Sequence, residues 1–392
     1  MKRVIDAYAA RIVRQGLAAK DDITLIGLDA EFTANRPLQG VDPELRRVFD
    51  LMNITTLLYA EPAEPYRSIL RSLAARGEGR LVPTDCETRT FLHDIPLLPL
   101  LSAEEISRAL AGRKAAIVGG RGIISYGTVG PEQAFVSFSS VCFSTFVKFF
   151  TDVMFHLEGT SCAGTEEDTA LPEAYRRISG GIPHGPSGSG SVPASPPRST
   201  DEVYEHLIVT GKELVRQGLV DSYFGNISYV YGDTIYISQT GSSLDRLETC
   251  IDAVPLDGSS SSGITASSEL SAHLSIYRKT GRRAIVHGHP KFTVIMSMSC
   301  RRPGCDVSVC YRSCREDRSV AGVPIVSGEI GTGPTGLMQT VPSALKGKGA
   351  AIVFGHGIFS AGHDSFRPAF ELIQDVEKSC MSEYFKKIQA LI

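Results

Sequence analysis

Ala350-Ala351-Ile352-Val353-Phe354-Gly355-His356-Gly357-Ile358-Phe359-Ser360-Ala361-Gly362 reads as a buried strand, a glycine-bracketed turn and a second strand. Four small or branched apolar residues in a row suit a strand covered on both faces. The pattern has already occurred once, as Ala115-Ala116-Ile117-Val118 followed by Gly120, Gly122, Ile123, Ser125 and Gly127. Residues 109–135 lie over 344–370 without a gap, and about half of the aligned positions are identical. Identity over that length points to a duplicated domain. A helix follows each copy, over 131–152 and 367–391.

The size of the chain agrees with two domains, since 392 residues exceed what most single cores hold. Between 160 and 199 the composition turns to Pro, Gly and Ser, which cannot bury enough apolar surface to offset ordering. The organisation expected is therefore a first domain over 1–160, a linker over 161–198 and a second domain over 199–392. A net charge of -3 and a pI near 6.3 give no reason to expect a nucleic-acid or membrane-surface partner. No apolar run approaches the roughly 20 residues that span a bilayer. Asp6, Arg11 and Arg14 interrupt the segment after Met1-Lys2-Arg3, so a signal-peptide core is not expected and the location expected is cytoplasmic. Nine cysteines, an odd number, argue against a disulfide framework.

In the second half a helix is expected over 201–217. Two alternating strands, 226–231 and 234–238, meet at Gly232-Asp233, a good hairpin dipeptide. A helix over 267–280 opens on serines with Glu269 in its first turn, and the strand 284–286 runs directly into His287. The fold class is α/β, a largely antiparallel sheet covered by helices.

Three groups in this half carry chemistry. His287-Gly288-His289-Pro290 ends an apolar strand, where alternate residues point the same way and two imidazoles can grip one ion. Gly355-His356-Gly357 also follows an apolar strand. Three imidazoles with an open fourth position are the usual catalytic zinc arrangement. Ser267-Ser268-Glu269 puts a carboxylate at a helix start, where it could act as an acid/base near the metal. A lone His-x-His more often packs or hydrogen-bonds than ligates, and Gly-His-Gly says less still. The three together are far more specific.

With these residues, 200–387 resembles the class II aldolase/adducin family. The resemblance runs through Gly225-Asn226-Ile227-Ser228, Gln239-Thr240-Gly241 with Leu244, Ser267-Ser268-Glu269-Leu270, His287-Gly288-His289-Pro290 and Gly355-His356-Gly357. It implies two α/β/α layered domains of that family's type. It implies a divalent ion, usually zinc, on His287, His289 and His356, with Glu269 as catalytic acid/base. Asn226, Thr240, Gly241, Ser267 and Ser268 would bind the substrate phosphate. A phosphate does need hydroxyls, backbone N–H groups and a helix start. The activity implied is a zinc-dependent aldolase cleaving a small phosphorylated ketose to a triose phosphate and an aldehyde. A sugar-phosphate 4-epimerase, a dehydratase of the methylthioribulose-phosphate type and a non-catalytic adducin-like module are the alternatives. The partners expected are a small sugar phosphate and further copies of the chain, as a dimer or tetramer.

Two regions stand apart from that pattern. Cys300, Cys305, Cys310 and Cys314 fall in a stretch with Arg301, Arg302, Arg312, Arg315 and Arg318 and few large apolar residues. A second, structural zinc on the four thiolates is expected there, with an iron–sulfur cluster, disulfides or free thiols as alternatives. The first half has the fold signature without the chemistry. Arg121 replaces the counterpart of His356, and His93 and His156 are its only histidines before the linker. It reads as a degenerate copy. The polar run from Asp85 to Asp94 reads as a surface loop with local salt bridges, or as a segment that completes the other domain's site.

Overall fold

The computed structural model of the chain describes residues 1–159, 170–182, 185, 188–220, 223–259, 264–300, 305, 309–314 and 316–392. Arg301, Arg302 and Arg315 lie outside these residues. The contacts divide the chain into two units, Met1–Pro183 and His184–Ile392.

The first unit runs α1 (Lys2–Arg14), β1 (Ile23–Leu28), β2 (Phe32–Ala34), α2 (Pro43–Leu51), β3 (Thr56–Ala60), α3 (Tyr66–Arg76), β4 (Arg80–Leu81) and α4 (Cys86–Leu92). It continues with β5 (Ile95–Leu98), α5 (Ala103–Leu110), β6 (Ala115–Val118), β7 (Gly122–Gly127), α6 (Pro131–Leu157) and α7 (Ala170–Ser179). Its strands lie in the order β2-β1-β3-β7-β6-β5-β4. One neighbouring pair, β5 with β6, is parallel.

The second unit runs α8 (Thr200–Arg216), β8 (Asn226–Tyr231), β9 (Thr234–Ser238), β10 (Ile251–Pro255), α9 (Leu270–Thr280), β11 (Ala284–Gly288) and α10 (Lys291–Ser297). Then come β12 (Arg318–Val320), β13 (Val323–Val326), α11 (Leu337–Lys348), β14 (Ala350–Val353), β15 (Gly357–Gly362) and α12 (Phe366–Gln389). The strand order is β10-β9-β8-β11-β15-β14-β13-β12. Here too one pair, β13 with β14, is parallel. Both sheets are thus largely antiparallel, as the sequence led one to expect.

Local chemistry sets the boundaries. Asp42 caps α2 by accepting from the Glu44 N–H at 2.9 Å, with Pro43 at the first helical position. Ser199 caps α8 through the Glu202 N–H at 3.3 Å. Gly281 and Gly349 close α9 and α11 in the left-handed conformation.

The second sheet is covered on both faces. Ile285, Ala351, Val353 and Phe359 pack with Ala272 and Ile276 of α9 and Leu337, Val341 and Leu345 of α11. The alternate face meets α12, where the Ser360 hydroxyl donates to the Ala369 carbonyl at 2.8 Å. The first unit repeats this. Leu57, Ala116, Val118 and Ile124 pack with residues of α2 and α5, and Ser125 donates to the Ala134 carbonyl of α6 at 2.7 Å.

Three expectations change. The stretch expected as a linker over 161–198 is largely taken up by the units where it is described. Leu171, Ala174, Tyr175 and Ile178 form the buried face of α7, and Val192 is buried while its carbonyl accepts from Arg367. The polar run 85–94 is mostly helix. Asp85 is buried and caps α4 through the Thr88 N–H at 2.8 Å. Finally, α6 is long and apolar enough to cross a membrane by length and composition, but 89% of its most apolar stretch is buried. Its serines and threonines hid that length from a search for unbroken apolar runs. Ser140 and Thr145 satisfy their hydroxyls on the Val136 and Val141 carbonyls at 2.7 Å, so they enter the core without an unpaired group.

Candidate metal centre

Strand β11 pairs with β8 on one side and β15 on the other, so His287 lies opposite both Asn226 and Phe359. His289 follows as the chain leaves the sheet. The turn from β14 to β15 supplies His356. Gly355 before it holds φ +59°, a left-handed conformation that glycine adopts without cost. A Cβ on Gly357 would strike the Gly288 carbonyl and come within 2.7 Å of the His289 ring. Glycine is therefore required on both sides of His356 for the two turns to meet.

The three imidazoles converge. One ring nitrogen from each lies within 4.8 Å of the others, and His287 Nε2 and His289 Nε2 are 2.9 Å apart. His287 faces the Ile358 carbonyl through Nδ1 at 3.1 Å and stacks on Phe359 with ring centroids 4.1 Å apart. Donation from Nδ1 leaves the Nε2 lone pair directed at the cluster, the tautomer a metal ligand needs. Phe224 stacks on His289. All three histidines are buried. Burial pulls the His287 pKa down to about 3, and that of His289 well below its ordinary value. Both are neutral at pH 7, as ligation requires.

Glu269 completes the group. Its Oε2 stands 3.4 Å from His287 Nε2, and its Oε1 stands 3.6 Å from His356 Nε2. Asn226 Nδ2 donates to Oε2 at 2.7 Å. Oε1 is buried and has no hydrogen-bond partner among the described residues. Burial pushes the Glu269 carboxyl up, against the opposing effects of His356 and Asn226. A buried carboxylate oxygen without a hydrogen-bond donor, beside three converging imidazoles, fits a site built to hold a cation.

Behind the carboxylate runs a chain of hydrogen bonds that local sequence reading misses. The Ser228 hydroxyl and His273 Nδ1 are 2.6 Å apart, and His273 Nε2 and Asn226 Oδ1 are 2.5 Å apart. His273 is fully buried, and its pKa falls to about 3 through burial and the neighbouring His287. As a neutral ring donating from Nε2 to the Asn226 carbonyl, it orients the amide so that Nδ2 faces Glu269. A second support lies on α12. Glu377 is buried and accepts from the Phe292 N–H at 2.9 Å, and from the Thr293 N–H and hydroxyl at 2.8 Å. It thereby caps α10 directly after His289-Pro290.

The residues expected to bind phosphate divide. Asn226 is committed at both ends of its amide to Glu269 and His273. Thr240 and Gly241 are exposed, and a bridge between Gln239 and Ala266 brings them beside Ser267 and Ser268. Ser267 is buried, with its hydroxyl 3.3 Å from the Glu269 N–H, while Ser268 is exposed. Helix α9 begins at Leu270, so Glu269 is its N-cap instead of a first-turn residue. Its side chain turns inward to Asn226 and the histidines instead of lying along the helix.

The cysteines do not come together in the same way. Cys305 is exposed, and Cys300, Cys310 and Cys314 are half-buried. Among the described residues the histidines alone form a group of three or more ligand atoms within 4.8 Å. The Cys310 carbonyl is held by Ser327 at 2.6 Å, and the Cys314 sulfur faces the Glu316 carbonyl at 3.7 Å.

Residues 205–384 match the class II aldolase and adducin N-terminal domain family. That class II aldolase-type segment includes every histidine, carboxylate and amide of the site just described. The chain is similar to L-fuculose-1-phosphate aldolase of Thermus thermophilus, with 26% identity, 48% of this chain and 95% of that chain covered, and a TM-score of 0.40. It is also similar to a sugar-phosphate aldolase of Thermotoga maritima, with 18% identity, 48% and 96% covered, and a TM-score of 0.35. A 98-residue stretch is 31% identical to a Nocardia farcinica protein described as a "Probable bifunctional methylthioribose-1-phosphate isomerase/methylthioribulose-1-phosphate dehydratase". That match covers 23% of this chain and spans only 17% of the relative's length.

Proposed function

We propose that the second unit is a metal-dependent lyase acting on a small phosphorylated hydroxy-ketone. The observation that carries this reading is the Glu269 carboxylate, fixed by Asn226 at one oxygen and set 3.4–3.6 Å from two of three converging imidazoles. His287, His289 and His356 would hold the ion, and three nitrogen ligands favour zinc over oxygen-seeking cations. When bound, the ion supplies a Lewis acid for the substrate's carbonyl and adjacent hydroxyl. Glu269 moves a proton at the carbon next to that carbonyl, with Oε1 as the working oxygen because Oε2 is held by Asn226. Thr240, Gly241, Ser267 and Ser268, gathered on one loop pair, would bind the phosphate and orient the chain of the substrate. We further propose that the first unit is a duplicated copy of the second, and that the chain works in the cytoplasm as a homo-oligomer.

Two reactions use that proton transfer. In the first, a ketose phosphate is cleaved between carbons to a triose phosphate and an aldehyde. In the second, a hydroxyl one carbon further on leaves as water, and the 31% identical stretch supports this dehydratase reading. Incubating the metal-loaded protein with phosphorylated ketoses, with product detection by mass, separates them. A dehydratase yields a product 18 Da lighter, and an aldolase yields two fragments. Neither product from any phosphorylated ketose, with full metal content, would count against the lyase reading.

A further inference from the structure

Sequence alignment pairs the two copies only from residue 109 onward, but the sheets extend the correspondence. Apart from the edge strand β10, the order and direction of strands are the same in both units. In the gap-free repeat, Ile123 and Ile124 stand for Ile358 and Phe359. Ala60 pairs with Ile123 and Tyr59 with Ile124, as Gly288 pairs with Ile358 and His287 with Phe359. Tyr59 therefore occupies the position of His287, Glu61 that of His289 and Pro62 that of Pro290, while Arg121 occupies that of His356. Asp42, the N-cap of α2, holds the place of Glu269, the N-cap of α9.

These replacements meet one another as the histidines do. Arg121 Nε lies 3.2 Å from Glu61 Oε1. A Cβ on Gly122 would come within 2.5 Å of the Tyr59 ring, and one on Gly357 within 3.1 Å of the ring of His287, its counterpart. Gly120, like Gly355, holds a left-handed φ, here +64°. The two turns thus share a left-handed glycine before the central residue and a close-packed glycine after it, while the donor atoms differ and Gly119 adds a second positive φ where Phe354 has none. A guanidinium offers no lone pair, keeps its charge at every physiological pH and satisfies a carboxylate directly.

We propose that the first unit carries a converted copy of the metal centre, in which the Arg121 guanidinium takes the place of the ion and pairs with Glu61. On this account the first unit binds no divalent metal, and each chain has one histidine metal centre. The proposal rests on reading the second unit as the metal-binding one. Because the Arg121 side chain is 59% exposed, its ion pair contributes little to stability and can be exchanged without unfolding the unit.

The test begins with a chain carrying His287→Ala and His356→Ala, probed with cobalt(II), whose charge-transfer absorption separates thiolate from nitrogen and oxygen ligation. This chain should show no nitrogen/oxygen-ligated ion. Adding Tyr59→His, Glu61→His and Arg121→His should restore one such ion per chain. A second variant changes Arg121→His alone in the histidine-depleted chain, leaving Tyr59 and Glu61 as oxygen donors. It should bind cobalt about tenfold or more weakly than the triple exchange. Failure of both folded variants to take up cobalt would overturn the proposal, and so would a nitrogen/oxygen-ligated ion in the histidine-depleted chain with its first unit unaltered. The parent chain reports separately on the second unit: no ion there removes the functional reading, whereas one ion there with no uptake by the grafted unit removes only the conversion.

Discussion

Asn226 Nδ2 stands 2.7 Å from Glu269 Oε2, and the same amide's carbonyl oxygen is 2.5 Å from His273 Nε2. An asparagine that a family resemblance assigns to phosphate is, in this structure, the link between a buried neutral histidine and the carboxylate beside the three converging imidazoles. Its removal should therefore affect proton transfer more than substrate binding. Asn226→Ala is expected to lower kcat by roughly 10–100-fold with metal content unchanged, because Glu269 loses its orienting donor. His273→Leu should lower kcat by about tenfold, with KM nearly constant. A rise in KM with kcat preserved in both variants would return Asn226 to phosphate binding.

Glu377 supports the proposed metal ligands from outside. Glu377→Ala leaves the Phe292 and Thr293 N–H groups and the Thr293 hydroxyl without their buried acceptor. A loss of roughly 2–4 kcal/mol in stability is expected. Because α10 starts two residues after His289, zinc affinity should fall as well, by about tenfold. Chemical denaturation and competitive chelation measure the two effects. Unchanged zinc affinity would confine Glu377 to a role in folding.

Asp85 gives the first unit a pH signature. Burial raises its pKa to about 6 from an ordinary 3.8, despite the hydrogen bonds from Thr88. The folded pKa lies above the unfolded one, so between these values the folded chain holds a proton that the unfolded chain has lost. Stability from this group is greatest below about pH 4, falls as pH rises to 6 and stays level above. The swing is on the order of 2–3 kcal/mol. Asp85→Asn preserves a good N-cap and removes the buried charge. The variant should gain stability relative to the parent at pH 7 but not at pH 4. Equal differences at both pH values would contradict the assignment.

The parts of the site that lie close together in sequence were legible from it. The His-x-His spacing at the end of β11 suggested that His287 and His289 meet, and glycines marked the turn carrying His356. The supports were not legible, because each acts across the fold. His273 meets Asn226 47 residues away, and Glu377 meets Thr293 across 84. Neither pairing has a local pattern. The first unit's Tyr59 and Glu61 were hidden for a different reason. Tyr-Ala-Glu-Pro shares only its proline with His-Gly-His-Pro, and strand register was needed to align them. The four cysteines are the reverse case: their close spacing in sequence suggested a shared ion, yet among the described residues only the histidines bring three or more ligand atoms within 4.8 Å of one another.

The central claim is that Glu269 moves a proton at the carbon beside a carbonyl held at the histidine centre. The most direct measurement is exchange of that carbon-bound hydrogen with deuterated water, comparing the metal-loaded parent chain with Glu269→Gln at equal metal content. It applies to carbon–carbon cleavage and dehydration alike. The account predicts exchange by the parent and a loss of about 100-fold or more in the variant. Exchange at the parent's rate by a fully metal-loaded Glu269→Gln chain would contradict it.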